Sequence, residues 1–114
     1  MDPALWRSCG EEWGTCMYVV INHIHLTVPV EQLRQPLEME GVPILAAQPG
    51  FAGFAFVREA DDRAVVIIYW ESRDAAMNGS RVFGPTWFAQ HIAPLLASEQ
   101  RRSTGDVLVY RSTP

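Results

Sequence analysis

Pro49-Gly50-Phe51-Ala52-Gly53-Phe54 and Tyr69-Trp70-Glu71-Ser72 are the two stretches that decide the fold of this 114-residue chain. The first couples a turn dipeptide to the start of an aromatic strand. The second closes a strand and passes to a helix at Arg73-Asp74-Ala75-Ala76, with Ser72 placed to cap it. Between them, Phe51 to Glu59 and Arg63 to Glu71 read as two strands joined by Ala60-Asp61-Asp62, a hairpin. Gly53, inside the first of these strands, predicts a bulge or a close backbone approach.

Upstream, Met17 to Val28 is rich in β-branched residues and reads as the first strand. Alternation places Tyr18, Val20, Asn22, Ile24 and Leu26 on one face, and Val19, Ile21, His23, His25 and Thr27 on the other. Both faces are largely apolar, so both are expected to be covered. Pro29 to Gln48 has helical spacing at Leu33, Leu37, Ile44 and Leu45. Pro36, Gly41 and Pro43 divide it into two short pieces. Downstream, residues 73 to 78 read as a short helix ended by Asn78-Gly79. A second helix starts near Pro85 and runs to about Gln100, with the stripe Trp87, Phe88, Ile92, Leu95 and Leu96 and a kink at Pro94. Arg101 to Thr104 is polar, Gly105 turns the chain, and Asp106 to Arg111 makes the last strand.

The element order is therefore β-α-β-β-α-β. It predicts a ferredoxin-like α+β domain over residues 17–114, a four-stranded antiparallel sheet with helices on one face. Residues 1–16 form an N-terminal extension without clean periodicity, in which Trp6 and Trp13 argue against a purely disordered tail.

Hydrophobic residues make up 48% of the chain and charged residues 19%. So apolar a short chain is expected to hide a sheet face against a second copy, giving a homodimeric α/β barrel. The net charge is −4, and all nine basic residues are arginines, scattered except for Arg101-Arg102. That is no footprint for nucleic acid, and an acidic chain gives no attraction to an anionic membrane surface. No apolar run approaches the ~20 residues of a bilayer span, and residues 1–16 lack the regions of a secretory signal. Cys9 and Cys16 have no zinc-type partners; they could form a local disulfide in an oxidising compartment, but are expected to be free thiols in a cytoplasmic protein.

The two opening motifs resemble those of the antibiotic biosynthesis monooxygenase family, dimeric α+β barrels that include quinol monooxygenases and haem-degrading enzymes. Pro49 to Phe54 is similar to the family's second-strand signature, and Trp70-Glu71-Ser72 followed by Ala75 to its third-strand exit. The likeness covers about Met17 to Ser112. It implies oxidation of an electron-rich aromatic, phenolic or quinol-type molecule by oxygen directly, without metal or flavin, in a pocket that orients the substrate and excludes water. In the haem-degrading branch it would imply an iron-ligating helix histidine, a first-strand asparagine and a helix tryptophan.

Carried over residue by residue, the resemblance puts Asn22 at the first-strand asparagine and His91 near the helix histidines. The helix tryptophan's place falls near Gly79, which cannot supply a ring. Asn22 and His91 are the candidate catalytic pair, Asn22 to orient the substrate oxygen and His91 to accept its proton. Phe83, Trp87 and Phe54 are the candidate substrate-binding aromatics, with Phe56 and Phe88 beside them. Each also has a plainer reading: Asn22 as a backbone-bonded asparagine, His91 as a rim histidine four residues from Trp87, the aromatics as core. His23 and His25 alternate on the face opposite Asn22 with no third ligand, so they read as interface rather than metal site. Glu71 reads as a salt-bridged or capping carboxylate. No cofactor is expected, haem entering only under the alternative reading, and a non-catalytic ligand-binding dimer is the third possibility.

Overall fold

The hairpin around Ala60-Asp61-Asp62 forms as the sequence predicts, and it supplies two of the sheet's four strands. The computed structural model describes residues 5–8 and 16–112. Its strands are β1 (Leu5–Ser8), β2 (Met17–His25), β3 (Phe51–Ala60), β4 (Arg63–Trp70), β5 (Arg101–Val107) and β6 (Val109–Ser112). The main sheet has four strands in the order β3-β4-β2-β5, every neighbouring pair antiparallel. A bulge interrupts the β3–β4 register between Phe51 and Gly53, where the glycine predicts it. This is the ferredoxin-like α+β arrangement.

Two helical runs cross one face. The first comprises α1 (Glu31–Pro36), a π-helical turn over Leu37–Gly41, and α2 (Val42–Ala46). Its two short α segments match the expected two pieces, but the backbone stays helical between them. The second comprises α3 (Arg73–Phe83), a π-helical turn over Gly84–Phe88, α4 (Ala89–His91) and a 3₁₀ turn over Ala93–Leu95. The expectation of a helix ending at Asn78-Gly79 and a separate one from Pro85 to Gln100 is corrected: one helical run passes through both sites and ends at Leu95. The π turn accommodates Pro85, which cannot donate to the preceding turn. Within it the Thr86 hydroxyl donates to the carbonyls of Val82 and Phe83.

Gly79 stays inside α3 because of what packs on it. A Cβ there would lie 2.0 Å from Cη2 of Trp70 and within 2.7 Å of two further ring atoms. The indole, fully buried at 0% exposure, sits directly on the helix backbone. The two opening motifs meet at the same corner. Gly50 has φ +82°, a conformation that glycine adopts without penalty, and its carbonyl accepts from the Glu71 N–H at 2.7 Å. A Cβ on Gly50 would come within 2.5 Å of the Ala75 Cβ. Phe51 stands edge-on to Trp70, with centroids 5.9 Å apart. Ser72 Oγ accepts from the Ala75 N–H at 3.1 Å, the predicted N-cap.

On β4 the alternation is strict: Ala64, Val66, Ile68 and Trp70 are buried under the helices, while Val65, Ile67 and Tyr69 lie half-buried on the other face. The core joins the helix-covered residues of β2 and β4 to Leu33, Leu37, Leu45, Phe83, Trp87 and Ile92. Among the described residues no helix covers the second face, where Tyr69 meets Tyr110 with ring centroids 5.5 Å apart.

Three further expectations are corrected. Arg101 to Thr104 is not a connection, because β5 begins at Arg101 and pairs with β2 from Met17 to His23. Its polar composition suits an outer strand with one side unpaired. The last predicted strand, Asp106 to Arg111, divides between β5 and β6. The 1–16 extension contributes β1, which pairs antiparallel with β6 and sets Trp6 opposite Arg111; Trp13 lies outside the described residues. Cys16 is disulfide-bonded rather than a free thiol, and Cys9, the chain's other cysteine, is outside the described residues. That bond removes the free-thiol argument for a cytoplasmic location. Among the described residues, no helix is long and apolar enough to cross a membrane.

Replacing Gly79 by Ala tests the corner. Helix propensity alone predicts a gain of ~1 kcal/mol, whereas overpacking against the immobile indole predicts a net loss of about 1–3 kcal/mol. Urea unfolding is expected to show the loss, and Trp70→Phe in the same chain to relieve part of it.

Candidate functional site

Alternation along β2 sets Asn22 on the helix-covered face, between Val66 of β4 and Arg102 of β5. Helix α3 and the π turn after it bring Ser80, Phe83, Gly84 and Phe88 above that point, and Gln100 closes one side. With Val20, Ile68 and Arg102 these residues enclose a pocket of about 80 Å³.

Two buried side-chain oxygens in this pocket, Asn22 Oδ1 and Gln100 Oε1, have no hydrogen-bond partner. Leaving a buried acceptor unsatisfied costs about 1–3 kcal/mol. Such groups are rare in folded proteins and each calls for an explanation. Two of them in one small space, opposite the aromatic wall of Phe83 and Phe88, are acceptor positions that water or a ligand bearing hydrogen-bond donors can fill.

The pocket opens beside a second space of about 370 Å³, lined by Tyr18, Val20, Arg73, Ala76, Met77, Arg102 and Thr104. The two share Val20 and Arg102. Tyr18 OH donates to Thr104 Oγ1 at 3.0 Å across the β2–β5 pair. The inner pocket is smaller than a benzene-sized cavity of ~150 Å³, so a ring entering it must keep part of its body in the outer cleft.

The residues singled out from sequence divide around this site. Asn22 and Phe83 share the pocket. Trp87 lies behind it, 4% exposed and stacked on Phe83 with centroids 5.8 Å apart. His91 continues the stack on the far side of Trp87 at 4.6 Å, its Nδ1 3.0 Å from the Trp87 carbonyl and its Nε2 4.0 Å from Glu40. The structure therefore does not bring His91 to Asn22; it places His91 at the outer end of a three-ring stack. Phe54, with Phe56, lines a different pocket of about 420 Å³ between β3 and the first helical run. On the opposite sheet face, His25 Nε2 lies 3.0 Å from Asp62 and His23 Nδ1 3.9 Å from Glu59. No group of three potential metal ligands occurs among the described residues.

Sequence reading missed Ser80, Gln100 and Arg102. Ser80 was lost when the helix was ended at Gly79. Gln100 falls at the expected end of the second helix and Arg102 in the stretch read as a connection; placing β5 there aligns Arg102 with Asn22.

The residues around Asn22 offer no haem ligand: the pocket lining contains no histidine, and His91 stacks on Trp87 rather than lining it. The space where the haem-degrading branch has a helix tryptophan is filled from the sheet side by Trp70, lying on Gly79.

Comparison with known proteins locates the fold. No protein-family model matches the sequence. A stretch of 34 residues is 53% identical to the uncharacterized protein YqjZ of Bacillus subtilis (strain 168), which is 30% of this chain and 30% of that protein. SnoaB, a cofactor-independent oxygenase of Streptomyces nogalater, superposes with a TM-score of 0.64 at 21% identity, over 79% of this chain and 93% of SnoaB. A monooxygenase of Streptomyces coelicolor solved with nanaomycin D gives 0.61 at 16% identity, over 82% of this chain and 88% of that one. MhuD, solved with manganese protoporphyrin IX, gives 0.60 at 22% identity, over 80% and 94%. The chain has the fold of the antibiotic biosynthesis monooxygenase-type proteins.

If the Asn22 carboxamide serves a ligand, the fold does not need it. Asn22→Leu is expected to leave unfolding free energy unchanged or to raise it by ~1 kcal/mol, since an unsatisfied buried acceptor is removed. A loss above about 2 kcal/mol in urea unfolding would show a structural bond instead.

Proposed function

We propose that this chain is a monooxygenase of the antibiotic biosynthesis monooxygenase family. It oxidises an aromatic, phenolic or quinol-type small molecule with molecular oxygen, needs no cofactor, and works as a homodimer. The observation that carries this reading is the pair of buried, unpartnered carboxamide oxygens facing Phe83 and Phe88. A phenol answers both features: its hydroxyl donates to Asn22 or Gln100, and its ring packs on the aromatic wall.

The chemistry follows from what lines the pocket. It has no carboxylate or imidazole, and its one charged group is Arg102. That guanidinium favours the phenolate over the phenol; as the hydroxyl proton passes to water in the outer cleft, the Asn22 carboxamide presents its N–H in place of its oxygen and donates to the phenolate. The phenolate gives one electron to oxygen, and the resulting radicals join at the ring carbon para to the oxygen. Loss of the hydrogen on that carbon and cleavage of the O–O bond release water. A phenol and O₂ thus become a para-quinone and water, all four electrons coming from the ring. Phe83, held by the Trp87–His91 stack, keeps the ring in register, which makes His91 a positioning residue in this reading.

The half-buried sheet face supports the dimer. Ile67 lies between Ile21 and Ala55 on that face, Val57 beside them is 42% exposed, and a second copy would cover them all.

Oxygen uptake with monocyclic and bicyclic phenols that carry a hydrogen para to the hydroxyl is the test, and turnover to the para-quinone is expected. Asn22→Leu should lower kcat/KM by ~10²-fold, the scale of one lost oriented polar contact. His91→Ala should cost less than about tenfold, whereas a true general base would cost about 10²–10⁴-fold. Binding without oxygen uptake would leave a non-catalytic ligand-binding protein. Light scattering should give a dimer for the wild type and a monomer for Ile67→Asp; a monomeric wild type contradicts the barrel.

A further inference from the structure

The outer cleft carries one more positive charge than the reaction uses. Among its lining residues, Tyr18, Val20, Arg73, Ala76, Met77, Arg102 and Thr104, there are two guanidinium groups and no carboxylate. Arg102 comes from β5 and Arg73 from the first turn of α3, so the cleft is flanked by arginines from both of its walls. Neither guanidinium forms an ion pair or hydrogen bond among the described residues. By contrast, Arg34 and Arg58 both lie against Glu31, at 3.5 and 3.2 Å. Asp106 occupies the same face of β5 two residues beyond Thr104, yet it pairs with neither cleft arginine. In a chain of net charge −4, with thirteen acidic residues against nine arginines, an all-cationic cleft runs against the average. Like-charge neighbours that remain unpaired repel each other and gain from a shared anion.

We infer that the substrate carries an oxyanion arm, a carboxylate or phosphate ester, which Arg73 and Arg102 hold in the outer cleft while its hydroxylated ring enters the Asn22 pocket. The inference rests on the proposed function for the ring's position and adds the arm. The geometry sets the division. The inner pocket, at about 80 Å³, takes only the reacting edge of a ring, and the outer space, at about 370 Å³, accommodates the remainder and its arm. Planar guanidinium groups match the paired oxygens of such an arm. The arm fixes which ring edge points at Asn22, so Arg73 is a specificity residue that never touches the reacting atoms.

Anaerobic titration followed by tryptophan fluorescence tests this, using 1,4-dihydroxynaphthalene and 1,4-dihydroxy-2-naphthoate as probes. The wild type is expected to bind the carboxylate at least tenfold more tightly, with the preference falling as salt rises. Arg73→Gln should reduce the preference severalfold while leaving affinity for the neutral hydroquinone unchanged, and Arg73→Gln with Arg102→Gln should abolish it. A parallel titration with 1-naphthyl phosphate sorts carboxylate from phosphate as the favoured arm. Equal affinity for neutral and anionic probes, no binding of the anionic probes, or a preference that survives the double substitution would overturn the inference. Oxygen uptake is read separately, with 1-naphthol and 1-hydroxy-2-naphthoate, which keep the para hydrogen: an anion preference without turnover keeps the cleft assignment and rejects the oxygenase reading.

Discussion

The indole of Trp70 resting on the bare backbone of Gly79 sets the position of everything above the sheet. Because the ring fills the space a Cβ would need, α3 comes close to β4 at this level. The Gly50 carbonyl bonded to the Glu71 N–H and the Gly50–Ala75 contact fix the same corner. With the helix start held there, the run continues through Ser80 and Phe83 to the π turn, and these residues arrive above Asn22. The close approach at the corner also leaves the β2–β5 side less covered: both clefts of the candidate site lie between α3 and that side of the sheet.

How much of this was legible in the sequence depended on whether a signal was local. The hairpin, the Ser72 cap and the bulge at Gly53 were legible because turn chemistry and strand alternation are written within a few residues. The continuous helix through Gly79 was not. Asn78-Gly79 has the look of a helix end, and only the tertiary contact with Trp70, nine residues earlier, explains the glycine. Strand β5 was missed for a related reason: an outer strand with a cleft on one side need not be apolar, so Arg101 to Thr104 lacks the pattern that marks a buried strand. The pairing of β1 with β6 joins the two ends of the chain, and no local pattern announces it.

The site was half legible. Asn22 stood out as a polar residue on an apolar strand face, and Phe83 as an aromatic on the crossing helix; both line the pocket. His91 was correctly tied to Trp87 by helical spacing, and the two rings do stack. Spacing says which side of a helix a residue shares, though, not which side of its neighbour it occupies, and His91 lies beyond Trp87 from the pocket. Phe54 shares the helix-covered side of the sheet with Asn22, but β3 is at the other edge, two strands away. Its pocket has a rim of Glu31, Glu38, Arg34 and Arg58, two charges of each sign, in contrast to the unpaired arginines near Asn22.

The account therefore turns on one claim: the carboxamides of Asn22 and Gln100 are left unbonded by the fold because a substrate hydroxyl completes them. The most direct measurement is a crystal structure of the protein with a hydroquinone, grown without oxygen. The account predicts a ring against Phe83 and Phe88 with a hydroxyl oxygen about 3 Å from the Asn22 carboxamide, a hydrogen-bonding distance. A ring seated instead between β3 and the first helical run, with Asn22 bonded to protein groups alone, would contradict it.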